Sequence, residues 1–103
     1  MFNKIFITLK IFFNIFIKNN YLKKKNSYSM NGEDLIVYEF FKNKIKGFYV
    51  DVGSYHPLRM NNTYLLYRNN WSGINIDPSK FSIKLFNFLR PNDLNISCLA
   101  SDK

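Results

Sequence analysis

Hydrophobic and polar positions follow three different rhythms along this chain. Over residues 1–18, "MFNKIFITLKIFFNIFIK", the rhythm is helical. Spaced at about 100° per residue, Asn3, Lys4, Thr8, Lys10, Asn14 and Lys18 gather on one side, and Phe6, Leu9, Phe12, Phe13, Phe16 and Ile17 cover the other. Residues 19–31, "NNYLKKKNSYSMN", are polar and without an apolar period, and read as a linker. From residue 32 to 103, helical patterns and short apolar runs take turns. "GEDLIVYEFFKNK" sets Leu35, Ile36, Tyr38 or Glu39, and Phe40 with Phe41 at helical spacing, with Asn31 as capping residue and Glu33 and Asp34 as early negative charge. Gly47 breaks that helix, and Phe48 to Val52 is a run too short and too apolar for anything but a buried strand. Asn61 and Asn62 cap a second helix over 63–69, with Tyr64, Leu65 and Tyr67 as packing residues. "SGINIDP" is a second buried strand stopped by Pro78. Ser79 caps a third helix that packs through Phe81, Ile83, Leu85, Phe86 and Leu89 and ends at Arg90 and Pro91. "LNISCLA", residues 94–100, is a third strand. Helices and strands in strict alternation predict an α/β fold with right-handed crossovers and a parallel sheet.

In such a sheet the ligand sits beyond the carboxyl ends of the strands, which directs attention to Gly53 to His56, to Asp77, and to Ser101 with Asp102. The stretch "FYVDVGSYHP" begins like a nucleotide-binding turn. Where a dinucleotide fold places its second and third glycines, this chain has Tyr55, His56 and Pro57. A pyrophosphate needs those glycines so that amides at a helix start can approach its charge; a ligand without phosphate does not. Asp77 follows about twenty residues after the loop, where an acid accepts the hydroxyls of a ribose, as it would for any adenosine-containing cofactor.

Charge and cysteine content narrow the classes. The net charge of +8 is concentrated at the amino terminus: residues 1–30 hold six lysines and no acid, whereas residues 31–103 hold nine basic residues against seven acids. The basic character therefore belongs to the leader, and the want of a recognised RNA or DNA module argues against a nucleic-acid partner. The single cysteine, Cys98, excludes an internal disulfide and a multi-cysteine metal site, and its apolar neighbours predict a buried position. The leader's apolar run, Ile5 to Ile17, is interrupted by Lys10 and falls short of the roughly 20 residues that cross a bilayer. No small-residue cleavage site follows it. Three readings stay open: an interfacial anchor with Lys23 to Lys25 near anionic headgroups, a helix packed on a core of its own or of a partner, and a weak signal anchor.

The blocks "NGEDLIVYEFF", "GFYVDVGSYHP", "NNTYLLYRNNWSGINIDPS" and "RPNDLNISCLAS", in this order and spacing, resemble the FkbM-type methyltransferases, which use S-adenosylmethionine. The resemblance covers residues 28–103. It implies the first three parallel strands, with flanking helices, of a partial Rossmann-like class I methyltransferase fold, preceded here by the amphipathic helix. It also implies methyl transfer to a hydroxyl oxygen of a sugar, glycan or other small metabolite. On that resemblance Asp51, Gly53 and Ser54 stand in the motif that receives the methionine end of S-adenosylmethionine, with Tyr55 beside them in the loop. Asp77 stands at the ribose position and Asp102 at the position bordering the adenine. Glu33 and Asp34 match an acidic pair expected to shape the pocket. The family's domain continues through further strands that hold most of the acceptor site, so the chain is expected to be the cofactor-binding part of a truncated or split enzyme, with a separately encoded carboxyl-terminal half as a partner.

His56 is a general base or, more in keeping with a His before Pro in a tight loop, a structural hydrogen-bonder. Trp71 reads as core. Asn61 to Thr63 also fits the N-glycosylation pattern. No catalytic residue and no metal ligand are assigned. Two functions of different class follow: a methyltransferase fragment, cytoplasmic with a membrane surface reached through residues 1–25, and a non-catalytic, membrane-peripheral or cofactor-binding relict of such an enzyme.

Overall fold

The computed structural model describes residues 2–23, 25–43 and 46–98. Helix α1 (Phe2–Phe12) runs into a π-helical turn (Phe13–Lys18); then come α2 (Glu33–Phe41), β1 (Phe48–Val52), α3 (Tyr64–Arg68), β2 (Ser72–Asp77), α4 (Lys80–Leu89) and β3 (Leu94–Ser97). The three strands form one parallel sheet in the order β1-β2-β3. The α/β alternation read from the sequence is thus present, with β2 in the centre.

Register divides the sheet's residues between two faces, because paired residues share a face and neighbours along a strand alternate. Val50, Ile74 and Leu94 stand in one row and Val52, Ile76 and Ile96 in the next, with Phe48 on the same face; Tyr49 with Gly73, and Asp51 with Asn75 and Asn95, occupy the other. The helices cover the second face. Tyr49 packs there with Leu66 of α3 and with Trp71, and Val37 and Tyr38 of α2 lean on that cluster. Gly73 is required at the point of closest approach, since a Cβ would run into the carbonyl of Tyr49. The first face is bare: Phe48, Val50, Val52 and Leu94 are each more than half exposed. Both expected "buried" strands are therefore buried on one side only; in β1 the fully buried residue is Tyr49.

Several local expectations change in the same way. Helix α2 exposes Leu35, Ile36 and Phe40, and packs Phe41 only in part, its ring 5.5 Å from that of Trp71. Its cap is Gly32 in the left-handed conformation (φ 80°), without a side-chain bond, and Asn31 instead donates its N–H to Glu33 Oε1 at 2.7 Å. Helix α4 starts as expected, with Ser79 Oγ accepting from Ser82 N at 3.2 Å. Cys98 is exposed, because β3 lies at the edge of the sheet among the described residues and ends one residue earlier.

The linker is not free. Tyr28 is buried with Leu58 and Tyr64, and its backbone N–H donates to Asp34 Oδ2 at 2.6 Å. Asp34 is fully buried and also accepts from Ser27 Oγ, so the acidic pair's second member clasps the linker to α2. Among the described residues no helix is long and apolar enough to cross a membrane. The leader lies against α4, with the rings of Phe12 and Phe16 at 5.3 and 6.1 Å from Phe88. Within the π turn Ile15 is fully buried, and Asn14, placed by the α-helical period on the polar side, meets the domain through His56.

Candidate functional site

The carboxyl ends of β1 and β2 meet in a small hydrogen-bonded rim. Gly53 leaves β1 with φ 72°, which favours glycine, and open space lies where its Cβ would be. Its N–H and that of Ser54 both donate to Ile76 O, at 2.7 and 3.1 Å. The hydroxyl of Ser54 donates to Asp51 O at 2.7 Å and accepts from Ile76 N at 3.1 Å, so this buried side chain stitches the turn to β2 and has no donor left for a ligand. Tyr55 also takes a positive φ, 66°, and holds its ring half exposed at the rim. Its N–H donates to Asp77 Oδ1 at 2.9 Å, while Ser79 N donates to Asp77 Oδ2 at 3.0 Å. Asp77 is thereby buried to 8% exposure, with one lone pair per oxygen still uncommitted.

Asp51 differs. Its carboxyl is half-buried at the end of β1 and accepts no hydrogen bond from the described residues. Burial pushes its pKa above the ordinary carboxylate value, the nearby Arg90 opposes the shift and Asp77 adds to it. An acid short of partners beside an open glycine turn is equipped to receive a cationic group. The rim thus brings Asp51, Gly53, Ser54, Tyr55 and Asp77 together; Asp102 lies outside the described residues.

His56 belongs to the support of this rim. Nδ1 accepts from Leu58 N and Arg59 N at 3.0 and 2.9 Å, which leaves the proton of the neutral ring on Nε2, donated to Asn14 Oδ1 at 2.6 Å. Asn19 Nδ2, 3.3 Å from the same Nε2, is then a second donor and does not bond it. Burial first, and then the positive charges of Arg59 and Lys18, lower the His56 pKa to about 4. Both nitrogens are committed and the ring is neutral, so the geometry favours the structural reading over a general base.

Beneath the rim lies the feature that sequence reading missed. Arg90 ends α4 as expected, but it is also fully buried. Its Nη1 donates to Pro57 O and Asn61 Oδ1 at 3.2 and 3.1 Å; Nη2 donates to Tyr49 Oη and Thr63 Oγ1 at 2.8 and 2.7 Å; Nε donates to Asp93 Oδ2 at 3.2 Å. The guanidinium lies 5.1 to 5.4 Å from the ring centres of Tyr49, Tyr67 and Phe86. One cation thus holds both ends of the loop from Pro57 to Thr63. The available signal was "RPND", an acid three residues after an arginine. Asp93 also accepts from Tyr49 Oη, Gly73 N and Asn75 Nδ2, which locks β1 to β2, while Asn75 Oδ1 is buried without a partner among the described residues. Asn61 is 1% exposed and bonded through both amide atoms, so it is a loop brace and not a glycan acceptor. Trp71 is core, as expected.

No family model, curated protein or solved structure matches this chain.

Proposed function

We propose that the rim binds S-adenosylmethionine and that the chain is the cofactor-binding part of a methyltransferase acting on a hydroxyl of a sugar, glycan or other small metabolite. The observation that carries this reading is the carboxyl of Asp51, half-buried and without a hydrogen-bond partner among the described residues, beside the open space over Gly53. This cofactor presents an amino acid and a sulfonium and no phosphate, so it needs one close-approach glycine and an acid, not a glycine-rich anion cradle. When bound it supplies an electrophilic methyl group. Asp51 would hold its ammonium end, Tyr55 would offer a ring at the rim, and the two free lone pairs of Asp77 would accept the ribose hydroxyls. Ser54 would serve only by fixing the turn. The bare aliphatic face of the sheet supports a partner half that covers it, since parallel sheets are ordinarily covered on both faces.

Calorimetric titration with S-adenosylmethionine and with its demethylated product tests the reading. Saturable binding is expected. Asp51→Asn should weaken it by about tenfold, about 1.4 kcal/mol, and Asp77→Ala should weaken it too. Absence of heat up to millimolar ligand, or unchanged affinity in both variants, overturns the assignment.

A further inference from the structure

Between the leader and the start of α4 lies a groove of about 400 Å³, within the size range of small-molecule sites. One wall is the leader's row Phe6, Leu9 and Phe13; the opposite wall is Phe81 from the first turn of α4. Phe6, Leu9 and Phe13 are 63, 62 and 54% exposed, although the adjacent Phe12 and Phe16 are packed on Phe88. The leader thus spends one apolar stripe on the domain and leaves a second one to line the groove.

The rim of the groove is cationic. Lys10 Nζ lies 5.6 Å from the ring centre of Phe6 and 5.4 Å from that of Phe81, so the ammonium bridges the two walls. Lys18 stands two turns further along on the same side. No acid lies within salt-bridge distance of either lysine among the described residues, and none occurs in the sequence before Glu33. A cation held against apolar rings without a counter-charge gains most from an anion that brings its own apolar body, because the pair then forms where water is scarce.

We propose that this groove binds a single-chain anionic amphiphile as a monomer, its chain between the leader row and Phe81 and its head group on Lys10 and Lys18. A lone inorganic anion would leave the apolar walls wet, and a neutral chain would leave the two lysines unpaired. A flat bilayer surface fits less well, because Phe81 comes from a different element and closes the far side of the groove. Asn14 also lines the groove and accepts from His56 Nε2, so the occupant lies one side chain away from the loop that follows β1. The proposal does not depend on methyl transfer.

The test is calorimetric titration of the full chain with dodecanoate below its micelle-forming concentration. One-to-one saturable binding is expected, weakened about tenfold for each two carbons removed from the chain. Lys10→Gln with Lys18→Gln should weaken dodecanoate at least tenfold. Phe81→Asp, which adds a helix-compatible acid to the first turn of α4, should abolish binding while circular dichroism stays unchanged. Dodecyltrimethylammonium should not bind. The His56 ring resonances should shift on titration with dodecanoate. Equal affinity in the double lysine variant, equal binding of the cationic amphiphile, or cosedimentation with phosphatidylglycerol vesicles without any monomer titration would each overturn the groove assignment, the last in favour of a membrane surface.

Discussion

Of the two faces of the three-stranded sheet, the one under the helices is the polar one. It buries Arg90, Asp93, Asn75 and Asp77 and half-buries Asp51, while the solvent side presents Phe48, Val50, Val52, Leu94 and Ile96. Burial usually follows apolarity, so the inversion needs a reason on each side. On the covered side, aromatic rings supply the apolar contacts, and the charges fasten loops whose backbone groups would otherwise be orphaned: Arg90 holds Pro57 O, and Asp93 holds Gly73 N. On the bare side nothing is fastened. Aliphatic side chains there gain their roughly 1.5–3 kcal/mol each only when something covers them. One face is a finished core and the other is a surface built to be covered.

The largest expected effect breaks the finished face. Arg90→Met leaves Asp93 as a buried charge without its counter-ion and frees Pro57 O and Asn61, which should cost about 3–5 kcal/mol. For a domain of this size that removes most of the stability, and loss of a cooperative urea transition is the expected observation. A variant as stable as the parent would mean that the covered face is held by its rings alone.

Next in size is the pH response of the same side. Arg90 is buried charged because it is paired, whereas His56, with two backbone N–H groups on Nδ1, is buried neutral. Its folded pKa of about 4 lies below the roughly 6.5 of an unfolded chain. Between those values the unfolded chain binds a proton that the folded chain does not. Stability is therefore full above about pH 6.5 and falls as pH drops toward 4, by roughly 3 kcal/mol in all. Asp51 acts with the opposite sign: its raised pKa makes the folded chain take up its proton first, and that contribution is lost as pH rises through the folded value. His56→Asn keeps an acceptor for the Leu58 and Arg59 amides and removes the titration. Its urea stability should vary less from pH 6.5 to 4.5 than the parent's, and an unchanged slope would assign the acid sensitivity elsewhere.

How much of this contrast was legible in the sequence depends on which interaction decides each residue. The strands and α4 were legible because their patterns are local: short apolar runs bounded by Gly47 and Pro78, and Ser79 as the cap of α4. The sidedness of the sheet was not, since an apolar strand reads the same whether one face or both are covered. Asp51 entered only through the family resemblance, whereas Gly53, Ser54, Tyr55 and Asp77 could be found by position at strand ends. Their commitments could not, because the two amides on Asp77 come from Tyr55 and Ser79, brought together only by the fold. The end of α4 at Arg90 was legible, but its burial was hidden for the same reason: its partners Tyr49, Pro57, Asn61 and Thr63 lie 27 to 41 residues away. The π turn escaped because nothing in "FNIFIK" departs from an α-helical period until Asn14 meets His56.

A smaller effect concerns how the cover is held. Ser79→Ala removes the one side-chain cap of α4 and should cost about 1 kcal/mol, read as a lower melting temperature without loss of the aromatic near-ultraviolet signal. A neutral result would place the hold on α4 in Phe86 and Leu85 rather than in its first turn.

The smallest effect on stability is the sharpest probe of the bare face. Val50 is 58% exposed at the middle of β1, so Val50→Lys in the isolated chain should change the free energy of unfolding by no more than about 0.5 kcal/mol. The same change places a charge on an edge strand and inside the exposed aliphatic patch, two features that promote association. It should therefore lower self-association, measured by sedimentation velocity, while leaving thermal unfolding where it was. If another polypeptide half covers this face, Val50→Lys should abolish its binding, since an unpaired ammonium would be buried among Val52, Ile74 and Leu94. Loss of stability in the isolated chain would instead mean that Val50 already has a cover, and that the two faces are less different than their exposures imply.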